Sequence, residues 1–318
     1  MSITPLALVT GGAGFIGSNL ADELIRQGAR VRIMDNFATG FRENLDEIEG
    51  DFDFIEGDIT DPTAVRKAIK GCQTVFHQAA LPSVPRSVEN PAETHRVCVN
   101  GTLDLLTAAR DNGVRRFIYA ASSSAYGDQP TLPKVETMSP EPMSPYAAAK
   151  LTGEYYCKVF YKVYGLETIS LRYFNVFGPR QNPASMYSGV ISRFIDALMN
   201  GSRPVIFGDG EQSRDFTYID NVVNANINAA EAGCGLGETI NAANGDRISL
   251  NSLLDVLKDI TGRKDLEAEY QPPRTGDVKH SQADNRRAIE VLGYKELVGL
   301  REGLSRTIDW WKSSRFAK

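Results

Sequence analysis

Residues 6–36, LALVTGGAGFIGSNLADELIRQGARVRIMDN, decide the fold of this chain. Leu6 to Val9 is apolar throughout, as in a strand that is buried on both faces, and a glycine-rich turn follows at once. A helical pattern then runs to Gly28, and a second apolar strand, Val31 to Met34, ends on Asp35. This succession of strand, glycine turn, helix, strand and acid predicts a βαβ unit that binds a dinucleotide.

The turn and the acid also indicate which dinucleotide binds. Glycines let the backbone turn tightly and approach a pyrophosphate, whose charge lies on the free N–H groups at the helix N-terminus. Asp35 is placed to accept hydrogen bonds from an adenosine ribose, and its charge would repel a 2′-phosphate, so the sequence predicts NAD rather than NADP. The predicted contacts in the turn are Gly11, Gly14, Phe15, Ile16 and Gly17.

Size and composition exclude several classes of protein. With 318 residues, 42% hydrophobic and 24% charged, the chain is typical of a soluble globular protein with room for two domains. Its net charge of −5 gives no reason to expect nucleic acid or an anionic membrane as partner. No apolar run is long enough for a membrane span or a signal peptide. The cysteines and histidines lack metal-site spacing, which predicts no metal and reduced thiols in a cytoplasmic protein.

Strands and helices go on alternating up to Phe174. We predict strands at Phe52–Glu56, Thr74–His77, Phe117–Ala121 and Ile169–Phe174, and helices at Asp61–Ile69, Pro91–Asn112 and Pro145–Tyr164. This rhythm predicts an α/β fold, a Rossmann-type doubly wound parallel sheet. Beyond residue 180 the rhythm breaks, which predicts a smaller C-terminal α/β substrate lobe. We expect an NAD-binding domain over 1–180, with about 215–245 returning to it, interleaved with a lobe over 181–318.

The loops after the predicted strands supply the other candidate cofactor contacts, because ligands bind at the carboxyl ends of strands in this topology. Asp58 is placed to meet the adenine amino group, although a turn or helix-capping role fits its spacing equally well. Residues 82–87, with two prolines, read as a loop at the same edge of the sheet. The remaining predicted cofactor contacts are Asn36, Gly40, Ile59, Gln78, Ala79, Ala80 and Val176.

Tyr146 and Lys150 carry the candidate chemistry. They are four residues apart on a predicted helix, so their side chains emerge on the same face. A lysine ammonium and a bound nicotinamide cation both favour the phenolate; lowering the tyrosine pKa from about 10 to near 7 takes roughly 4 kcal/mol. Tyr146 is then a general base toward a sugar hydroxyl. The serine cluster at 122–124 ends a strand at the ligand edge, where one hydroxyl can bond the same substrate oxygen.

Four motifs in order resemble those of the extended short-chain dehydrogenase/reductases, specifically the nucleotide-sugar 4-epimerases. They are the glycine turn at 10–17, Ser122–Gly127, Tyr-Ala-Ala-Ala-Lys at 146–150 and Arg-Tyr-Phe-Asn-Val-Phe-Gly at 172–178. The resemblance implies that Tyr146 is the base, that Lys150 holds the nicotinamide ribose, and that Ser122 or Ser123 contacts the sugar O4. Ser122 is preferred, because it lies four residues before the tyrosine of the Tyr-Gly pair. Ser124 is expected to satisfy backbone groups instead.

The resemblance also implies where a UDP-sugar is held, and it makes the 181–318 lobe a UDP-sugar-binding one. Asn175, Arg214 and Arg274 would hold the diphosphate and Asp277 the ribose, while Gly189, Val190, Val205, Ile206 and Phe207 would form the nucleotide wall. The 82–87 segment is similar to that of epimerases of N-acetylated hexosamines, with Ser83 and Arg86 lining the sugar pocket. Ser281 falls where a tyrosine restricts other epimerases to unacetylated sugars. We therefore expect UDP-GlcNAc/UDP-GalNAc as substrates, with UDP-glucose or UDP-glucuronate as the alternative.

Two other readings remain. Related 4,6-dehydratases and uronate decarboxylases carry acids where this chain has Ser123 and Ser124, so both activities are disfavoured. A non-enzymatic NAD-binding regulator is disfavoured by the intact Ser, Tyr and Lys set. Helices 91–112 and 146–164 are expected to pair with a second copy as a four-helix bundle, as in related epimerases, which would make the protein a homodimer.

Overall fold

The computed structural model describes residues 5–182, 189–273 and 278–314. Its first three elements are β1 (Leu6–Thr10), α1 (Phe15–Arg26) and β2 (Arg30–Asp35). Every residue of β1 is buried, and β1 pairs with β2 in parallel. The βαβ unit predicted from residues 6–36 is therefore confirmed.

The elements that follow alternate as predicted through residue 173 and less regularly afterwards. The first group is α2 (Arg42–Asp46), β3 (Asp53–Glu56), α3 (Pro62–Ile69), β4 (Cys72–His77), α4 (Val84–Glu89), α5 (Pro91–His95), α6 (Gly101–Asp111), β5 (Arg116–Ser122), α7 (Pro145–Tyr164) and β6 (Glu167–Tyr173). The second is β7 (Val176–Phe177), α8 (Val190–Met199), β8 (Val205–Phe207), β9 (Ser213–Arg214), β10 (Thr217–Tyr218), α9 (Ile219–Glu231), β11 (Glu238–Ala242), β12 (Ile248–Ser249), α10 (Leu250–Thr261), β13 (Glu269–Gln271), α11 (Arg286–Leu292) and α12 (Leu300–Ser313).

The central sheet has, among the described residues, seven strands in the order β11-β6-β5-β4-β1-β2-β3. All of its neighbouring strands pair in parallel. The order reverses between β1 and β4, and ligands of doubly wound sheets bind in the crevice at such a point. The predicted Rossmann-type sheet is confirmed, and its crevice lies beyond Thr10 and His77.

Apolar side chains fill both faces of the sheet. One buried cluster includes residues of α1, α8, α9, α10 and α12, and the other includes residues of α3, α6 and α7. Strand β11 extends the sheet beside β6. The short pairs β13–β8 and β12–β9 lie outside it and belong to the second half of the chain. The boundaries 1–180, 215–245 and 181–318 remain a prediction.

Two local predictions differ from the structure. The helix predicted over Pro91–Asn112 is made of α5, a π-helical stretch at Arg96–Asn100, and α6. The prediction of a loop at 82–87 was wrong, because α4 begins at Val84. The Ser83 hydroxyl caps this helix by accepting a hydrogen bond from the Arg86 N–H, and the prolines did not prevent the helix because Pro85 lies in its first turn.

Candidate active site

The glycine turn after β1 packs so closely against neighbouring backbone that Gly11 and Gly17 have no room for a side chain. Gly11 has a φ of +70°, and a Cβ there would lie 2.7 Å from the Ala79 nitrogen. A Cβ on Gly17 would lie 2.2 Å from the Gly11 carbonyl oxygen. Gly14 precedes α1 without a side-chain cap, so the first N–H groups of the helix, from Phe15 onward, are free of intrahelical partners. This arrangement fits a pyrophosphate.

Asp35 ends β2 beside this turn. Its carboxylate accepts hydrogen bonds from the N–H groups of Ala13, at 2.9 Å, and Phe37, at 2.7 Å. Burial raises the pKa of the Asp35 carboxyl above its ordinary value, although these backbone bonds oppose the shift. The sequence predicts only a ribose contact for Asp35. The structure adds that Asp35 braces the glycine turn, and each oxygen keeps a lone pair for a ligand hydroxyl.

Asp58 holds a turn. One oxygen accepts from the N–H and the hydroxyl of Thr60, both at 2.8 Å, and the other accepts from the Asn36 amide at 3.1 Å. Burial acts to raise the pKa of the Asp58 carboxyl. The hydrogen bonds from Thr60 and Asn36 and the charge of Arg96 outweigh burial, so this pKa lies below its ordinary value. The turn role that the spacing left open is therefore present. The adenine contact stays a prediction.

The other predicted cofactor residues lie around the same crevice. Ile59 packs beneath Gly101, and Gly40 lies against the backbone of Ala13. Gln78 is fixed between Asn226 and the Tyr173 hydroxyl, at 3.1 and 3.2 Å. Ala79 and Ala80 follow Gln78 after β4, and Val176 begins β7.

Ser122, Tyr146 and Lys150 meet at the carboxyl end of β5. The Ser144 hydroxyl caps α7, which places Tyr146 in the first turn of this helix. Ser122, the last residue of β5, lies beside the Tyr146 phenol, and its side chain lowers the pKa of that phenol against the larger effect of burial. The Lys150 ammonium donates to the Ala120 carbonyl at 2.8 Å. The structure thus brings the predicted catalytic set together.

The Tyr146 phenol is not acidified by the chain itself. Burial raises its pKa well above the ordinary value, and only the Ser122 side chain opposes this. Lys150 was expected to lower this pKa, but its ammonium is held by Ala120 and lies 5.0 Å from the centre of the Tyr119 ring. Burial also lowers the pKa of Lys150. A phenolate at neutral pH therefore needs a further positive charge beside Tyr146.

The serines of the cluster differ in role. The Ser124 hydroxyl was expected to satisfy backbone groups, but it donates to the Ser122 oxygen at 2.8 Å. The Ser124 N–H bonds the same oxygen at 3.2 Å. Ser123 begins the short 3₁₀ turn that ends at Tyr126. Ser122 thus sits in a hydroxyl chain that orients its proton toward one partner, with no carboxylate at 123 or 124.

Ser83 and Arg86 approach this site from α4, which packs against α7. The Ser83 side chain is buried and, besides capping the helix, keeps its own proton as a donor. Arg86 is partly buried, and its charge helps to lower the pKa of Glu93, after the larger effect of the Arg96 hydrogen bond. Their contact with a sugar stays a prediction.

The predicted nucleotide end is assembled from distant segments. Asn175, with a φ of +28°, donates to the Asp215 carbonyl at 3.0 Å. Arg214 donates to the carbonyls of Ser213 and Lys279, at 3.0 and 3.1 Å. Gly189 and Val190 form the start of α8. Arg274 and Asp277 lie outside the described residues.

The structure changes the predicted role of Ile206 in the nucleotide wall. The Val205 and Phe207 side chains are partly buried, but that of Ile206 is 1% exposed and belongs to the hydrophobic core. Ile206 therefore presents only backbone to a ligand. An open cavity of about 540 Å³ adjoins Phe207; it is lined by Phe207, Gly208, Asp209, Gln212, Gln271, Pro273, Val278 and Lys279.

Asp215 is a residue that the sequence analysis missed. Its buried carboxylate accepts from the N–H groups of Asn244, Gly245 and Ala283, at 3.2, 3.0 and 3.0 Å. Burial raises the pKa of Asp215 to about 7. The signal in the sequence was only its position between Arg214 and Phe216. Asp215 fixes the 281–284 segment beside Arg214 and Asn175.

Ser281 lies in this fixed segment. Its N–H donates to the Ser213 carbonyl at 3.0 Å, next to Arg214, and the side chain is partly buried. The neighbouring His280 ring bonds the Ser213 hydroxyl at 2.9 Å. The predicted gate residue is therefore held beside the predicted diphosphate clamp.

Two searches of the described residues found nothing. In residues 5–182, 189–273 and 278–314, no helix has both the length and the apolar character of a membrane span. Within the same ranges, no three His, Cys, Asp or Glu side chains are grouped so that they could hold a metal ion.

Comparison with known proteins gives one family. The model of the NAD-dependent epimerase/dehydratase family matches residues 7–243. A UDP-glucose 4-epimerase of Mycolicibacterium smegmatis is 40% identical over 311 residues, which are 96% of this chain and 98% of that protein.

Two solved structures are similar along their whole length. The UDP-N-acetylglucosamine 4-epimerase of Methanobrevibacter ruminantium M1, in complex with UDP-N-acetylmuramic acid, has a TM-score of 0.93 and 40% identity, covering 98% of this chain and 99% of that one. The UDP-glucose 4-epimerase of Thermotoga maritima, with UDP-glucose, has a TM-score of 0.92 and 40% identity, covering 97% and 99%.

Proposed function

Because this chain belongs to the NAD-dependent epimerase/dehydratase family, we propose that it is a 4-epimerase that interconverts UDP-GlcNAc and UDP-GalNAc. Its cofactor is NAD. The observation that carries the proposal is the Ser122–Tyr146–Lys150 set at the end of β5, with serines rather than acids at 123 and 124. This set can move a proton at a sugar hydroxyl and has no group for elimination or decarboxylation.

The glycine turn and the N-terminus of α1 support a specific position for the cofactor. The first N–H groups of α1 hold the pyrophosphate, Asp35 the adenosine ribose, and Lys150 the nicotinamide ribose. When bound, NAD supplies a reversible acceptor for the hydride of the sugar C4. Held by Lys150, its nicotinamide would supply the positive charge that Tyr146 needs, since burial raises the pKa of the phenol and only Ser122 opposes this.

The chain's residues then manage the proton of O4. Tyr146 takes this proton as C4 is oxidised and returns it when C4 is reduced from the opposite face. Ser122 bonds the same oxygen, and its bonds to Ser124 fix the direction of its hydroxyl. Both groups are partly buried, which limits the access of water.

Inversion requires the 4-keto sugar to turn over while its nucleotide stays bound. Arg214 and Asn175 are proposed to hold the diphosphate, with Arg274 on the diphosphate and Asp277 on the ribose. A guanidinium suits this task because it binds phosphate oxygens bidentately. The fixed 281–284 segment keeps this anchor rigid while the sugar moves.

The acetylated sugar is favoured by Ser281, Ser83 and Arg86. A serine at 281 leaves room beside C2, while Ser83 and Arg86 offer a hydroxyl proton and a guanidinium to an acetamido oxygen. The second candidate is a UDP-glucose 4-epimerase, which the 40% identity to the M. smegmatis and T. maritima enzymes favours.

We also propose that the enzyme is a cytoplasmic homodimer. The apolar row on α7, with Tyr155, Val159 and Val163 exposed, adjoins Val84 and Val88 of α4. A second copy would cover this row with its own α7, as the predicted four-helix bundle requires. Sedimentation should show a dimer for the wild type and for the control Ile289→Glu, and a monomer for Val163→Glu. A monomeric wild type would refute this assembly.

The experiment for the activity is a substrate panel. Purified protein is mixed separately with UDP-GlcNAc, UDP-glucose and UDP-glucuronate, and the sugars formed are identified by NMR. The proposal expects UDP-GalNAc as the preferred product. Preference for UDP-glucose would select the second candidate, and a pentose or a deoxy sugar would contradict both.

A further inference from the structure

The catalytic face of α7 continues one turn beyond Lys150, to Glu154. Tyr146, Lys150 and Glu154 are spaced by four residues, so they share one face of the helix. Glu154 is 3% exposed, and a buried carboxylate requires a partner. Arg172 of β6, also 3% exposed, supplies it with two bonds of 2.9 and 2.7 Å.

Arg172 also contacts the turn that follows β5. It lies in register with Ala121, one residue before Ser122. Its guanidinium lies 4.5 Å from the centre of the Tyr126 ring, at the end of the serine turn, Ser122 to Tyr126. The Tyr126 hydroxyl in turn donates to Asn241 of β11 at 2.7 Å. Arg172 thus links the helix that carries Tyr146 to the turn that carries Ser122.

Glu154 also contributes a charge at the site. The ionisable side chains around Lys150 are Tyr146, Glu154 and Cys157 from α7, Cys98 from the π-helical stretch, His77 from β4 and Tyr119 from β5. Burial makes His77 neutral, with a pKa of about 3, and raises the pKa of Cys157 to about 12. Burial lowers the pKa of Lys150, and the charges of Cys98, Cys157 and Glu154, in that order, oppose this; Glu154 is the carboxylate among them, although burial raises its own pKa.

Stability does not account for this pair. Replacing a buried ion pair by apolar side chains of similar volume is often neutral or stabilising. Strands β5 and β6 carry another ion pair, Arg116 with Glu167, at 3.0 Å, at the ends opposite Ser122 and Arg172. That pair is far from the site and provides a matched control.

We infer that Glu154 and Arg172 are positioning residues: the pair fixes the serine turn against the start of α7, and Glu154 sets a negative charge on the helix face that carries Lys150. The catalytic part of this inference rests on the proposed epimerase function. The part that concerns Lys150 and NAD does not need a sugar.

The test measures two quantities in Glu154→Gln, Glu154→Asp and the control Glu167→Gln. The first is the affinity for NAD across a pH series, whose loss at alkaline pH reports deprotonation of Lys150. The second is kcat and KM for the UDP-sugar that the wild type converts. Should Glu154→Gln fail to fold, the apolar double variant Glu154→Met with Arg172→Met replaces it.

Glu154→Gln should move the alkaline loss of NAD affinity to lower pH by about one unit, because the negative charge that favours the ammonium is gone. Its kcat should fall at least about tenfold with KM changed less than about threefold, as for a loss of alignment in the transition state. Glu154→Asp keeps the charge, so it should lose rate without moving the NAD profile. Glu167→Gln should match the wild type in both.

An unmoved NAD profile in Glu154→Gln, or equal losses in Glu154→Gln and Glu167→Gln, would overturn the inference. Failure of the proposed function would look different: the wild type itself would convert no UDP-sugar, while the NAD profiles still report on Glu154.

Discussion

The two ends of the crevice are built in different ways. The cofactor end comes from one contiguous stretch: β1, the glycine turn, α1 and β2 lie within residues 6–36, and Asp35 braces the turn from inside the same unit. The proposed sugar-nucleotide end comes from segments around residues 175, 214, 244 and 283, which the single side chain of Asp215 and the carbonyl of its backbone hold together.

The cofactor end is held rigid by backbone geometry, and the other end is held rigid by side-chain hydrogen bonds. At the cofactor end, the absence of side chains makes the site, so any added atom blocks it. At the other end, one buried carboxylate makes the site, so its charge and its hydrogen bonds decide the local order. The two ends should therefore respond differently to substitution and to pH.

The largest effect is expected at the glycine turn. Gly17→Val should abolish NAD binding, because its Cβ would lie 2.2 Å from the Gly11 carbonyl oxygen. Calorimetric titration with NAD checks this. Gly233→Ala is the control, since a Cβ there has no atom within 4 Å. Wild-type NAD affinity in Gly17→Val would refute the assignment of the glycine turn as the pyrophosphate site.

The second-largest effect is expected at Tyr146, which lies between the two ends of the crevice. Tyr146→Phe should lower kcat by about 10²–10⁴-fold, because the variant cannot take the O4 proton, while NAD stays bound. Steady-state kinetics and the cofactor content of the purified protein test this. Tyr155→Phe, exposed on the same helix, should behave as the wild type. Near-native turnover in Tyr146→Phe would remove Tyr146 from the role of base.

Asp215 should make stability depend on pH. Its pKa is raised from 3.8 to about 7 in the folded protein, so the folded state holds a proton that the unfolded chain releases in this range. The contribution of Asp215 to the free energy of unfolding should therefore fall as pH rises from 3.8 to about 7.

Thermal unfolding across this pH range measures the effect. Asp215→Asn should flatten the slope relative to the wild type, and it should also weaken UDP binding while leaving NAD affinity within about threefold. The exposed Asp51→Asn is the control and should keep the wild-type slope. An unchanged slope in Asp215→Asn would show that this carboxylate does not titrate there.

The smallest effect concerns one sugar against another. Ser281→Tyr should depress the turnover of UDP-GlcNAc far more than that of UDP-glucose, because the ring would fill the space beside C2. Ser281→Ala keeps this space and should convert both. Competition between the two sugars in one assay measures the ratio, and equal losses in Ser281→Tyr would contradict the gate.

The same contrast explains which parts of the fold and of the candidate site could be predicted from the sequence. The strand, turn, helix and acid of the cofactor end are local patterns, and Tyr146 and Lys150 share a helix, so spacing alone brought them together. The burial of Ile206 depends on packing between distant segments. The bond from Ser124 to Ser122 and the helix at Val84 are local, but the same residues also fit a backbone bond and a proline loop. Asp215 has no local pattern, because its partners lie 29 to 68 residues further along the chain.

The proposed reaction requires that hydride leaves C4 of the sugar and returns to the same carbon on its other face. Conversion of UDP-GlcNAc in D₂O, with the product analysed by NMR, tests it most directly. The expected product is UDP-GalNAc with no deuterium at C4 and no accumulation of reduced cofactor. Deuterium at C4, or stoichiometric release of reduced cofactor, would contradict it.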